Sequence, residues 1–282
     1  MFIVKKLFDE GSSSPYMARL YSNLFELRDY ALCHKYKKND IDLERMDFDK
    51  QFKPILEAMD VCRESVRKIE NLWKDHVLKV ENGQIIIKSN NSIHVLENID
   101  KPLKEYFNQI LVNGVIALKG VQKITLMFDV DISFLYMKEK KFKVGISNLE
   151  TLGEYELALF LGEMRQKCTE NFINLRNSIE HEGWMLPEVK INLMNPNKIS
   201  VVEPSVNGMP ITKYCKIMTN RIISSIENVM VYTFQKNLEY PFVIYEIPLV
   251  NREKGLAHRF DVTISQTGIE PWNIVYCESD FI

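Results

Sequence analysis

From Tyr155 onward the chain carries an apolar stripe stepping by fours and threes: Leu157, Leu161, Met164, Cys168, Phe172, Leu175 and Ile179. Such spacing turns one side of an α-helix towards a core and leaves the other to water. Gly183 and Pro187 follow as stop signals, so the pattern predicts a helix that ends close to residue 181. Near the start, Ser14-Pro15 offers an N-cap followed by proline at the first helical position. Met17, Leu20, Leu24, Leu27 and Ala31 then recur at helical spacing and predict a first helix near residues 15–36. Ile55, Met59, Cys62, Val66, Ile69 and Trp73 alternate steps of four and three, which predicts a second helix with a single buried stripe.

Between these helical patterns lie segments of a different period. Asn82-Gly83 separates two β-prone runs, residues 76–80 and 84–88, and both turn residues tolerate positive φ, so a hairpin is expected over 76–88. Pro102 opens another helix with Leu103, Tyr106, Phe107, Ile110 and Leu111 on one side, and the run 124–136 is read as its far end. Short β-like runs at 189–194 and 199–202 precede a helix over 212–236, in which Met218, Ile222, Val229 and Tyr232 face a core. Three strands are expected at 242–250, 260–265 and 273–277. The expected fold class is therefore mainly α, an antiparallel helical bundle with a β-hairpin and C-terminal β additions, α+β overall. One domain over 1–282 is expected, with a helical core at 15–237 and a β-rich segment at 242–282.

Composition narrows the functional classes. Hydrophobic residues make up 46% and charged residues 26% of the 282, which describes a packed globular chain rather than a disordered or fibrous one. A formal net charge of −2 supplies no general attraction to nucleic acid, so any contact with RNA must be local. The basic run at 138–143 has the charge to hold phosphates, although such runs are more often solvated connectors. Five cysteines without C-x-x-C spacing indicate neither a zinc site nor a disulfide framework. No uninterrupted apolar run approaches roughly 20 residues, and residues 1–8 are too short for a signal peptide, so a cytoplasmic protein without membrane contact is expected.

Chemistry is concentrated at one place. Arg176-Asn177-Ser178-Ile179-Glu180-His181 joins a permanently cationic side chain to one that titrates near neutrality, a combination suited to phosphodiester cleavage. Arg176 and Glu180 also stand at the spacing of a surface ion pair, and a histidine is favoured at a helix C-terminus. On a helix, Asn177 and His181 share nearly one face, whereas Arg176 and His181 lie about 140° apart around the axis. One copy therefore makes a poor active site, and two copies facing each other across a two-fold axis would bring both types of group together.

An arginine-asparagine pair followed by three residues and histidine, late in a bundle helix, resembles the motif of HEPN-domain proteins. The resemblance is strong over six residues and weak over the surrounding helices. It implies a HEPN-like bundle, a homodimer formed through the motif helix, and a metal-independent endoribonuclease in which Arg176 and His181 are catalytic and Asn177 helps arrange them. It further implies attack by an RNA 2′-hydroxyl on the adjacent phosphorus, and a setting such as a bacterial toxin–antitoxin or anti-phage system with an antitoxin or regulatory partner. Other members of the family have lost activity and serve as binding or scaffolding domains.

A second pair, Arg28 and His34, has the same residue types with one more intervening position and also fits the polar face of the first helix. His76, His94 and His258 have no partners at ligand spacing and are expected to be structural or exposed. Asp129 and Asp131 would share a face only on a strand, and no neighbouring ligand pattern completes a metal site. No P-loop, Rossmann fingerprint or zinc signature stands in the chain, so no cofactor is expected.

Overall fold

A computed structural model describes residues 14–36, 40–88, 93–195, 198–252, 258–265, 270–276, 279 and 281. In chain order a π-helical segment (Met17–Asn23) leads into α1 (Leu24–Lys35), followed by α2 (Ile41–Glu81), β1 (Ile86–Lys88), β2 (Ile93–Val95) and α3 (Asp100–Met127). A 3₁₀ turn (Ser133–Tyr136), α4 (Glu139–Thr151), α5 (Tyr155–Met164), a second π segment (Arg165–Thr169) and α6 (Glu170–His181) come next. The chain continues with β3 (Lys190–Asn195), β4 (Lys198–Val202), β5 (Ser205–Val206), β6 (Met209–Pro210) and α7 (Ile211–Lys236). It closes with β7 (Phe242–Glu246), a 3₁₀ turn (Leu249–Asn251) and β8 (Phe260–Ile264). The protein is mainly helical, and its strands pair as antiparallel two-stranded ribbons.

These elements fall into two units. The first comprises Met1–Leu56, Ala117–Thr169 and Asn220–Ile282, and the second Glu57–Ile116 and Glu170–Thr219. Helices α2, α3 and α7 each supply residues to both.

In the first unit, Phe48 of α2 meets Phe52 of the same helix, Phe128 and Phe234. Phe48 lies 6.3 Å from Phe128 and 6.0 Å from Phe234, ring centre to ring centre. All four rings are buried, and edge-on or tilted contacts of this kind add to their apolar burial. α4 approaches the 3₁₀ turn so closely at Gly145 that an added Cβ would lie 2.0 Å from Phe134 Cγ. Only glycine fits there.

The same unit also encloses charge. Glu227 of α7 has no exposure, and its carboxylate accepts from Arg19 Nε at 2.5 Å and from Arg259 Nη1 at 2.9 Å, with a further bond from Arg19 Nη2. Asn23, also buried, accepts from the backbone N–H groups of Arg259 and Phe260 and donates to the Phe260 carbonyl at 2.8 Å. Both Arg19 and Asn23 lie in the first π segment, where the N–H of Leu24 returns to the carbonyl of Arg19 five residues back. These side-chain bonds hold that segment to α7 and to the start of β8.

In the second unit the predicted stripe of α2 is buried at Met59, Cys62, Val66 and Ile69, together with Leu103, Phe107, Ile110 and Leu111 of α3. Phe172 and Leu175 of α6 and Tyr214 and Met218 of α7 complete this set of buried side chains. Phe107 has Trp184 at 6.1 Å and Tyr214 at 6.2 Å.

Several local expectations need correction. Residues 76–80 are not a strand but the last turns of α2, and Asn82-Gly83 ends that helix. Gly83 takes φ +68°, its N–H bonds Val80 and the N–H of Gln84 bonds Lys79, the reciprocal pattern that satisfies a helix's final carbonyls. The hairpin forms one step later, with Ile86 opposite Val95. An Asn-Gly turn does build a hairpin elsewhere: Asn207 and Gly208 take φ 52° and 76° between β5 and β6. The helix expected to run through 124–136 stops at Met127, where Asp129 at φ 61° and Val130 close it by the same pattern. Residues 273–276 are not a strand, although Trp272 donates to the Ile244 carbonyl of β7. Cys277, the end of that expected strand, and residues 1–8 lie outside the described residues.

Among the described residues α3 is the one helix long and apolar enough to cross a membrane, and half of its most apolar stretch is buried in the protein. Its polar positions, Asn113 and Lys119 among them, interrupt the run that a sequence window would seek.

Two substitutions test this packing in chemical or thermal unfolding. Gly145→Ala should destabilise by about 1–3 kcal/mol through overpacking against Phe134. Glu227→Gln should cost about 3–5 kcal/mol, because it removes the buried carboxylate that Arg19 and Arg259 share and leaves Glu246 alone to offset the guanidinium charge. An unchanged midpoint in either variant would contradict the corresponding contact.

Candidate functional site

α6 ends as its sequence dictates. Its apolar residues Phe172 and Leu175 are buried, and beyond His181 the chain leaves the helix through Gly183 at φ +72°, with the Trp184 N–H returning to the Ser178 carbonyl. Trp184 then packs against Phe107, which fixes the exit of the chain beside the last turn.

On that last turn the side chains of the motif meet around Glu180, which forms the i, i+4 ion pair with Arg176 that the spacing predicts. Arg176 Nη1 donates to Asn177 Oδ1 at 3.2 Å, and Arg176 Nη2 pairs with Glu180 Oε1 at 2.5 Å. The other oxygen of Glu180 lies 3.8 Å from His181 Nε2. Glu180 thus spans the arc that separates Arg176 from His181, standing about 40° from the first and about 100° from the second around the axis. Arg176 is 30% exposed and His181 71%, so the imidazole faces water while the guanidinium is partly covered. Arg176 Nε is buried and has no hydrogen-bond partner among the described residues. In chemical terms the turn presents an arginine held by one amide and one carboxylate, beside a freely accessible histidine.

The second pair is arranged differently. Arg28 is buried, pairs with Asp29 at 2.8 Å and with Asp49, and lies over the rings of Phe25 and Phe48 at 4.7 and 5.2 Å. His34 packs against Phe242, ring centres 4.9 Å apart and the planes tilted by 57°. Arg28 is engaged with carboxylates and aromatic faces, and His34 with a strand. Asp129 pairs with Lys35, and Asp131 caps the 3₁₀ turn through the Ser133 N–H at 2.8 Å. Among the described residues no three His, Cys, Asp or Glu side chains gather as a metal site. Burial pushes the thiols of Cys62 and Cys215 above their ordinary values, leaving both as core residues rather than nucleophiles.

One polar assembly has no counterpart in the sequence reading. Beside the Glu227 pair, Arg259 Nε and Nη2 reach Glu246 at 3.0 and 3.2 Å, and Arg252 Nη2 reaches it at 3.0 Å. Burial pushes the Glu246 carboxyl up, but the two guanidinium groups outweigh it and hold it below its usual value. Glu246 and Arg252 line a cleft of about 590 Å³ together with Glu26, Tyr245, His258 and Asp261. His258, 14% exposed, has Nε2 at 2.7 Å from Ser22 Oγ and Nδ1 at 3.4 Å from Glu26 Oε2. Ser22 and Glu26 stand one helical turn apart, but His258 is 236 residues from Ser22, and no local spacing reports that meeting.

His76 is buried in α2 with Nδ1 unpartnered among the described residues. Burial lowers its pKa below the ordinary value near 6.5; Glu97, Asp100 and Asp75 oppose that shift and Lys79 adds to it. Above that value neither the folded nor the unfolded chain is protonated at His76, so its contribution to stability is complete. As pH falls through it, the unfolded chain takes up a proton that the folded protein resists, and stability declines until the folded ring is itself protonated. Urea midpoints should therefore fall between pH 7.5 and pH 5.5 in the parent and fall less in His76→Gln. Equal slopes in the two proteins would remove His76 from the effect.

Comparisons of the chain with protein-family models, with curated proteins and with solved structures find no match.

Proposed function

We propose that the protein is a dimeric endoribonuclease of HEPN type, acting through Arg176 and His181 at the end of α6. The observation that carries this reading is the grouping of Arg176, Asn177 and His181 on the last turns of one helix, with the imidazole open to solvent. In the proposed site two such turns face each other, and the arginine of one copy works with the histidine of the other. Arg176 binds the scissile phosphate and stabilises the charge that builds on its oxygens. His181 takes the proton from the 2′-hydroxyl or gives one to the leaving 5′-oxygen, leaving a 2′,3′-cyclic phosphate and a free 5′-hydroxyl. DNA lacks the nucleophile and is not cut.

Glu180 bears directly on this reading, because it occupies the guanidinium that the phosphate needs. In the proposed mechanism the phosphate displaces the carboxylate from Arg176. The same ion pair also favours a second reading, a non-catalytic HEPN-like module that uses the helix for dimerisation, nucleotide binding or protein interaction.

Single-stranded RNA incubated with the purified protein in EDTA separates the two. Cleavage with cyclic-phosphate ends, reduced at least about 10²-fold in both Arg176→Ala and His181→Ala while the dimer persists, is the expected result. Equal cleavage by all three proteins would exclude the assignment. A dimer without cleavage of any RNA would favour the interaction module.

A further inference from the structure

We infer that Ser22, His258 and Glu26 form a second, independent site in the first unit, a Ser-His-Glu hydrolase centre for small carboxylic esters. Three relations define such a centre: a nucleophile bonded to a base, a base oriented by an acid, and a space beside them for substrate. Ser22 Oγ and His258 Nε2 are 2.7 Å apart, within the range expected of a nucleophile and its base. Glu26 Oε2 stands 3.4 Å from the opposite ring nitrogen, which favours the tautomer with its proton on Nδ1 and leaves Nε2 to accept from the serine. Glu26 and His258 line the cleft, whose volume of about 590 Å³ suits a small molecule, and Ser22 is half-buried beside them.

The surrounding structure holds this geometry in place. Ser22 belongs to the π segment, a form of helix often found at functional sites, and Glu26 follows one turn later on α1. The adjacent Asn23 side chain bonds the backbone of Arg259 and Phe260, so the residue after His258 is tied to the helix that carries Ser22. Arg252 lines the same cleft. Its Nε is bonded to the Ile247 carbonyl and its Nη2 to Glu246, which fixes a guanidinium charge in the wall of the cleft. Such constellations arise on unrelated folds and are recognised by geometry rather than by chain position.

In the reaction, Ser22 Oγ bonds to the ester carbonyl carbon as its proton passes to His258 Nε2. The carbon–oxygen bond to the alcohol then breaks, and the departing oxygen takes that proton. Water repeats the sequence on the acyl-serine, releasing the acid and restoring the hydroxyl. Ser22 and His258 are the catalytic residues, and Glu26 is a positioning residue.

A fluorophosphonate probe with peptide mapping, together with hydrolysis of p-nitrophenyl acetate, tests the site on the full chain. The expected result is an adduct on Ser22, absent in Ser22→Ala, with labelling and hydrolysis lowered at least about 10²-fold in His258→Asn. Glu26→Gln should lower kcat with KM unchanged, and Glu26→Asp should recover part of the loss. An unlabelled Ser22 in the parent protein, or hydrolysis undiminished in Ser22→Ala, would overturn the inference. Labelling of the parent needs no variant, so a folding failure in the mutants cannot obscure the outcome.

Discussion

The Glu227 carboxylate, buried without exposure between the guanidinium groups of Arg19 and Arg259, constrains the whole of the first unit. An ion taken out of water loses its hydration, and a single partner rarely compensates for that loss. Here two cations converge on one anion, and the excess positive charge is met in turn by Glu246, which Arg259 and Arg252 share. Each of these residues is then bound to its place by the others. The π segment, the middle of α7 and the ribbon of β7 and β8 come from distant parts of the chain, and these bonds join them. His258 and its contacts with Ser22 and Glu26 inherit their precision from that arrangement, because Asn23 fixes the backbone immediately beyond it.

The end of α6 follows a different logic. Its charges are exposed or half-exposed, so water screens them and no single pair is worth much to stability. What the turn possesses is accessibility and variety: an amide, a carboxylate, a guanidinium and an imidazole within two turns of one helix. Glu180 gives these groups a common centre. Although Arg176 and His181 lie well apart around the axis, the two oxygens of one carboxylate lie 2.5 Å from the first and 3.8 Å from the second.

How far such features were legible follows from their range. The stripe from Leu157 to Ile179 was readable and is buried as far as Leu175, with Ile179 half-buried; that of α2 is buried from Ile55 to Ile69, with Trp73 half-buried, and that of α7 is buried throughout. The ribbon at 190–202 and the strands β7 and β8 were also visible as β-prone runs. Turns were harder. Asn82-Gly83 and Asn207-Gly208 carry the same conformational freedom, yet the first ends a helix and the second reverses a hairpin. The difference lies in what precedes them, since 76–80 continues a long amphipathic helix despite its β-prone composition. The π segments escaped notice because a five-residue return bond leaves no mark in an apolar stripe.

Helical periodicity, the glycines of the helix ends and the motif on α6 are set by neighbours within one or two turns, and the amino-acid order alone specifies them. The partners of charged side chains are not set in this way. Arg28 reads as a polar-face residue or half of a motif, but folding brings it against Asp49 and two aromatic rings. Glu227 carries no local signal of its partners, and in the fold it has no exposure. Ser22 and His258 meet across almost the entire chain. Burial of charge and convergence of distant side chains depend on how separate elements pack, and that packing is a property of the folded whole rather than of any local window.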